Sequence, residues 1–214
     1  DIIRVVRCAL AARHDSTACP DSVAARADCN GDGALDVRDI ICCVRKILRA
    51  PCLLCDRAAP TDPAGAEIGF AGPIRWINEA EGLATIAIRP GPDLAGIQFG
   101  LDAVGAAVRV RDMKLIEGSP GFALEWIAIE SGGARAALYS MSGAARPADP
   151  LRVQVAVERT VGARSGPVVA GSGALALSGV LGGTAAGSGA PTSVTNPSVE
   201  VPQAPIQAPA LLPA

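Results

Sequence analysis

One segment of the 214-residue sequence carries oxygen-bearing side chains at the spacing of a calcium loop. It runs from Asp28 to Asp39, with Gly33 at the sixth position. Calcium is bound by roughly six to eight oxygens, and the glycine permits the sharp turn that brings a backbone carbonyl into the site. A metal-free Asn-Gly-Asp-Gly turn followed by a helix cap is the simpler alternative. The sequence predicts a Ca2+ site with the ligands Asp28, Asn30, Asp32, the carbonyl of Ala34, Asp36 through a water, and Asp39.

A helix is expected directly after this loop, and the sequence contains two copies of it. Residues 1–10 and 39–48 share Asp, Ile, Ile, Val, Arg and Leu at equivalent positions. In each copy the apolar residues recur at helical spacing. They are Ile2, Ile3, Val6 and Leu10 in the first copy and Ile40, Ile41, Val44, Ile47 and Leu48 in the second. This pattern predicts two short amphipathic helices whose apolar stripes face each other.

The Asp-x-Asn-x-Asp-Gly loop, the Asp39 that closes it and the duplicated helix resemble a dockerin domain over roughly residues 1–50. Asp1 falls at the last ligand position of a first loop whose other ligands are missing, so one complete calcium site is expected. Dockerins bind cohesin modules through exposed residues at the end of the loop and along the next helix. The resemblance implies that the partner-binding residues are Val37, Arg38, Arg45, Lys46 and Arg49. A merely solvated basic helix face is the alternative.

All seven cysteines lie between Cys8 and Cys55. This clustering predicts disulfide bonds and an oxidising compartment, and therefore a protein at the cell surface or outside the cell. A zinc site is the alternative, since Cys52 and Cys55 form one closely spaced pair. The pairing of the cysteines cannot be read from their spacing.

The central region contains short segments of alternating apolar and polar residues, separated by Gly, Pro and Asp. The predicted strands are 74–77, 83–88, 97–101, 108–110, 122–129, 136–139, 151–157 and 174–177. About eight strands at this spacing, with no long helical pattern between them, indicate an all-β sandwich. The order of these features resembles a cohesin or a related cellulose-binding-type jelly roll. A generic immunoglobulin-like sandwich is the alternative.

Changes in composition divide the chain into four parts. We expect a dockerin-like module at residues 1–57, a linker at 58–65, a cohesin-like sandwich at 66–185 and a disordered Pro-rich tail at 186–214. A net charge of −2 gives no footprint for nucleic acid. No apolar run approaches the roughly 20 residues of a membrane span.

These features together predict an interaction protein and not an enzyme. The only histidine is His14, so a nucleophile in the sandwich would have no histidine base there. We expect a calcium-dependent protein–protein interaction module that assembles or anchors polysaccharide-degrading machinery, with a cohesin- or dockerin-bearing protein as its partner. One alternative is a carbohydrate-binding fragment that uses Trp76 and Trp126 to stack on a polysaccharide. The other is a spacer sandwich with a structural calcium module.

Overall fold

The structure is a computed structural model. The residues that it describes are 2–11, 19, 23, 26–29, 31, 33–48, 66–91, 94–104, 108–117, 121–142, 150–160, 173–184, 189–190 and 192–201.

Two helices and twelve strands have both of their ends within these residues. The helices are α1 (Ile2–Ala11) and α2 (Val37–Ile47). The strands are β1 (Ala66–Phe70), β2 (Arg75–Trp76), β3 (Glu81–Arg89), β4 (Leu94–Val104), β5 (Val108–Glu117), β6 (Phe122–Ala128), β7 (Ala134–Ser140), β8 (Leu151–Arg159), β9 (Gly173–Thr184), β10 (Gly189–Ala190), β11 (Thr192–Thr195) and β12 (Ser198–Val201). Val23, Arg26 and Ala27 are also helical. Neither α1 nor α2 combines the length and apolarity required to span a bilayer.

The strands form two sheets of six strands each, packed face to face. Sheet A has the order β11-β1-β3-β8-β5, with β2 paired to β3, and sheet B has the order β10-β9-β4-β7-β6, with β12 paired to β9. The pairing is antiparallel except between β1 and β11. The strands place alternate side chains in the core between the two sheets. In β8, Val153, Val155 and Val157 point into the core, and the residues between them are more exposed. The predicted all-β sandwich of two sheets is therefore confirmed.

Sheet B is buried on both faces at β4 and β7, which the alternating pattern alone did not indicate. Residues Leu94 to Leu101 of β4 are all buried. Ile97, Phe99 and Leu101 pack into the core between the sheets. The opposite face of sheet B is covered by α1 and α2, which form a second apolar cluster with Ala137 and Tyr139 of β7. The helical region and the sandwich are therefore in contact through sheet B.

The predicted boundary of the sandwich at residue 185 was wrong. Strands β10, β11 and β12 lie within the segment predicted to be a disordered tail. Val199 and Val201 are buried in the sandwich core, and β11 pairs with the edge of β1. A Pro-rich segment cannot form a core of its own, but it can add strands to an existing sheet and use the core of that sheet. Residues 202–214 lie outside the described residues.

Candidate functional site

The loop before α2 folds around the side chain of Asp28. Its two carboxylate oxygens accept hydrogen bonds from the backbone N–H groups of Gly31, at 2.6 Å, and Gly33, at 3.0 Å. Both glycines have a positive φ, 75° and 80°, a conformation that side chains disfavour. The loop therefore turns back on its first predicted ligand, as a wrapped cation site requires.

The end of the loop is fixed by a capping box at the start of α2. Asp36 is the N-cap and accepts from the N–H of Arg38 at 2.8 Å, while Oδ2 of Asp39 accepts from the N–H of Asp36 at 3.0 Å. Asp36 also pairs with the guanidinium of Arg38 at 2.6 Å. Both acidic residues are buried, with 4% and 0% of their surface exposed. Buried carboxylates need compensation, and the backbone N–H groups and Arg38 provide part of it.

The oxygen-bearing groups along this loop are of the chemical type that calcium prefers. Asp28, Asp36, Asp39 and the carbonyl of Ala34 would supply hard oxygen ligands, and the bound ion would hold the loop against the start of α2. Asn30 and Asp32 lie outside the described residues. Among the residues that are described, no group of three or more His, Cys, Asp or Glu side chains converges on one point. The calcium site stays a prediction.

Disulfide bonds tie the helices to the segments beside them. Cys8 of α1 is bonded to Cys19, and Cys29 in the loop is bonded to Cys43 of α2. Cys42 is disulfide-bonded as well. All five described cysteines are thus in disulfides, which leaves none of them as a zinc ligand. The candidate zinc pair, Cys52 and Cys55, lies outside the described part of the chain.

The residues predicted to bind a partner point in two directions. Val37 is fully buried against sheet B, and the aliphatic part of Arg38 lies beside Gly183 of β9. Lys46 is exposed, and its Nζ donates to the carbonyl of Cys29 at 2.6 Å. Arg45 is half-buried, and Arg49 lies outside the described residues. The start of α2 is therefore occupied by a contact within the chain.

We call the surface of sheet B that receives the helices the docking face. It consists of Ala95, Gly96, Gln98, Ala137, Tyr139 and Gly183. Its residues are mostly small, so the helix backbone can approach closely. The exceptions are Tyr139 and Gln98. Oε1 of Gln98 accepts from the N–H of Val37 at 3.1 Å, and its Nε2 donates to the carbonyl of Ala9 at 3.5 Å.

Tyr139 is the largest side chain of the docking face. It is 4% exposed, and burial, followed by the negative charge of Glu125, raises the pKa of its phenol above the ordinary value. The raised pKa follows from the position of the ring beneath the helices, where the phenolate would be poorly solvated.

The two tryptophans considered for sugar stacking pack against the sandwich core instead. The guanidinium of Arg159 covers the ring of Trp76 at 4.0 Å from the centroid, and Gly82 leaves room for that ring on β3. Trp126 is half-buried on β6. These positions give no support to the carbohydrate-binding alternative.

Sequence reasoning missed Gln98, Gly96 and Gly183. Gln98 was visible inside the predicted strand 97–101 and Gly96 directly before it, but either residue could equally face solvent. A signal was present in β4 all the same, since a strand interior that admits Gly favours close approach of another backbone.

Searches with the sequence gave no matching family model and no matching curated protein. The fold is similar to solved cohesin modules. A non-cellulosomal cohesin from Archaeoglobus fulgidus is 14% identical, with a TM-score of 0.46 over 65% of this chain and 93% of that one. A cohesin module from a Clostridium perfringens family 33 glycoside hydrolase is 14% identical, with a TM-score of 0.45 over 64% and 93%. A type I cohesin–dockerin complex from Clostridium thermocellum is 9% identical, with a TM-score of 0.49 over 67% and 97%. At these values the similarity assigns neither a family nor a function to the chain.

Proposed function

We propose that this chain is a calcium-dependent protein–protein interaction module. The observation that carries the proposal is the arrangement at the start of α2. There the predicted calcium loop ends in a capping box, and the next residue, Val37, is buried in a contact with another folded surface. A cation that orders the loop would therefore also order the part of the helix that makes the contact.

The proposed partner is a protein with a cohesin- or dockerin-type module. The resemblance of the duplicated loop and helix to dockerins supports this choice and extends it to the assembly or anchoring of polysaccharide-degrading enzymes. The disulfides at all five described cysteines support a location outside the cell or on its surface, since such bonds persist in oxidising compartments.

Isothermal titration of the full chain with calcium chloride tests the metal. We expect one ion per chain and loss of binding in Asp28→Ala and Asp39→Ala, while Asp112→Ala on β5 leaves binding unchanged. Hydrogen exchange at Ile40 and Ile41 should slow when calcium is added. Absence of calcium uptake, or equal uptake in the two loop variants, would refute the calcium dependence.

A pull-down with purified cohesin and dockerin modules, in calcium and in EDTA, tests the partner. Binding that disappears in EDTA and in Asp28→Ala supports the proposal. If neither kind of module binds in calcium, the proposed class of partner is wrong.

A further inference from the structure

We infer that the docking face is a binding surface for the α1–α2 helix pair, either of the same chain or of a second copy. In the free chain, its own α1 and α2 occupy this surface. An outside partner would then bind only in competition with the internal helices. This inference rests on the proposed interaction function, but it requires no calcium.

At both glycines of the docking face, the atom nearest to an added Cβ belongs to α2, although at Gly96 the carbonyl oxygen of Leu138 in the sandwich is also close, at 3.1 Å. A Cβ at Gly183 would lie 2.7 Å from Cδ1 of Ile41, and its other near neighbours, both at 3.6 Å, belong to Arg38 and Val37. All three residues are on α2. A Cβ at Gly96 would likewise lie 2.8 Å from Cγ2 of Val37. A side chain at either position would obstruct the helix first.

A polar contact sets the position of the helices on this face. The N–H of Val37 is at the first residue of α2, and the carbonyl of Ala9 is in the last turn of α1, so neither group has a partner within its own helix. The single side-chain amide of Gln98 binds both groups. Gln98 therefore binds an N–H at the start of one helix and a carbonyl at the end of another. A single helix would not present both groups at this point.

The helix pair is separable from the sandwich. Every described strand of both sheets is paired with another strand, and the buried core between the sheets, within the described part of the chain, contains no residue of α1 or α2. Seventeen residues, 49–65, connect Leu48 to Ala66. Because Cys42 is itself in a disulfide, only the part of this segment after Cys55, the last cysteine, is counted as free. Fully extended, the chain from Cys55 to Ala66 spans at most about 40 Å, long enough for the pair to leave its own face and reach that of a second molecule.

The connection explains why the internal contact prevails. A short flexible tether gives the helix pair an effective concentration on the order of 1 mM at the docking face of its own chain. At about 10 μM protein, a second copy is then at a disadvantage of roughly a hundredfold. The unmodified chain should be a closed monomer, and either surface should become available when its internal partner is damaged.

Two complementary variants of the full chain test this inference. Gly183→Val blocks the face but leaves the helix pair intact. Val37→Asp leaves the face intact and puts a negative charge on the surface of α2 that contacts it. Residue 37 is at the N-terminus of α2, where an acidic side chain does not destabilise the helix itself. Each variant alone should sediment as a monomer at about 10 μM, because every copy carries the same damaged surface and no intact face can meet an intact helix pair. The equimolar mixture should form a 1:1 heterodimer that associates at least about tenfold more strongly than either homodimer.

The controls use substitutions of the same kind in open positions. Gly72→Val is the control for Gly183→Val, because a Cβ added at Gly72 would have no atom within 4 Å. Ile47→Asp is the control for Val37→Asp, because Ile47 is 65% exposed. Mixing these two should give no heterodimer. The inference is overturned if the test pair remains monomeric up to about 1 mM, the concentration expected of the tether. It is also overturned if either variant loses all amide protection in β3 and β8, because the sandwich would then not fold without the docked helices. The same mixture in EDTA should also form the heterodimer, because the inference requires no calcium. The result therefore does not depend on the proposed calcium dependence.

Discussion

Replacement of Gln98 by Met is the most informative single change, because it keeps the length of the side chain and removes both of its polar contacts. Gln98 is 2% exposed, so water cannot replace the lost partners without opening the site. The N–H of Val37, now at 3.1 Å from its acceptor, would be left buried and unpaired. Such a group costs about 1–3 kcal/mol. The contact to Ala9, at 3.5 Å, is longer and adds less.

We expect the variant to lose about 2 kcal/mol of stability, mainly through release of the helices. For a chain of this size that corresponds to a fall in Tm of about 4–8 °C. Since about 1.4 kcal/mol is a factor of ten, exchange of the amides of Ile40 and Ile41 should accelerate about thirtyfold. Amides in β3 and β8, on the other sheet, should remain better protected than those of α2, because they open only when the sandwich unfolds.

Hydrogen exchange followed by mass spectrometry, together with calorimetry, measures both effects. Gln154→Met is the matched control, because Gln154 lies on the outer side of β8 in sheet A, away from the helices. Unchanged protection of α2 in Gln98→Met would refute the role given to this amide. Equal exchange rates for the amides of α2 and the protected amides of β3 and β8 would also contradict it, since the helices would then not open separately.

Three further changes test other parts of the structure. Asp36→Ala removes the N-cap and should lower stability by about 0.5–2 kcal/mol in urea unfolding, whereas an unchanged midpoint would exclude the capping box as a stabilising element. Tyr139 is the only tyrosine, so phenolate absorbance reports it alone. Its midpoint should lie above 10 and move down in Glu125→Gln. Because the folded pKa is raised, stability should be intact below about pH 10 and fall as the pH rises through the folded value, and this fall should be absent in Tyr139→Phe. The double change Cys29→Ser and Cys43→Ser should weaken calcium binding severalfold in isothermal titration, since the loop loses its link to α2, and equal affinity would refute that link.

The helices and most strands were predictable because each carries its own periodicity. Ile40, Ile41 and Val44 recur at helical spacing, and the structure places them in α2. The valines of β8 alternate with polar residues, and they point into the core. The fold of the loop was predictable for the same reason, because Asp28 and Gly33 are close in sequence. Identification of its metal was not tested by the structure.

The sequence by itself determined the amphipathic helices, the turn of the loop and the two-sheet sandwich, because these depend on residues a few positions apart. Only the tertiary structure decided that the helices cover sheet B and that strands β10, β11 and β12 complete the two sheets. Gln98 is 61 residues from Val37 and 89 from Ala9. No local pattern records such pairs, since a buried polar residue and an exposed one look alike in a sequence until the opposing surface is in place.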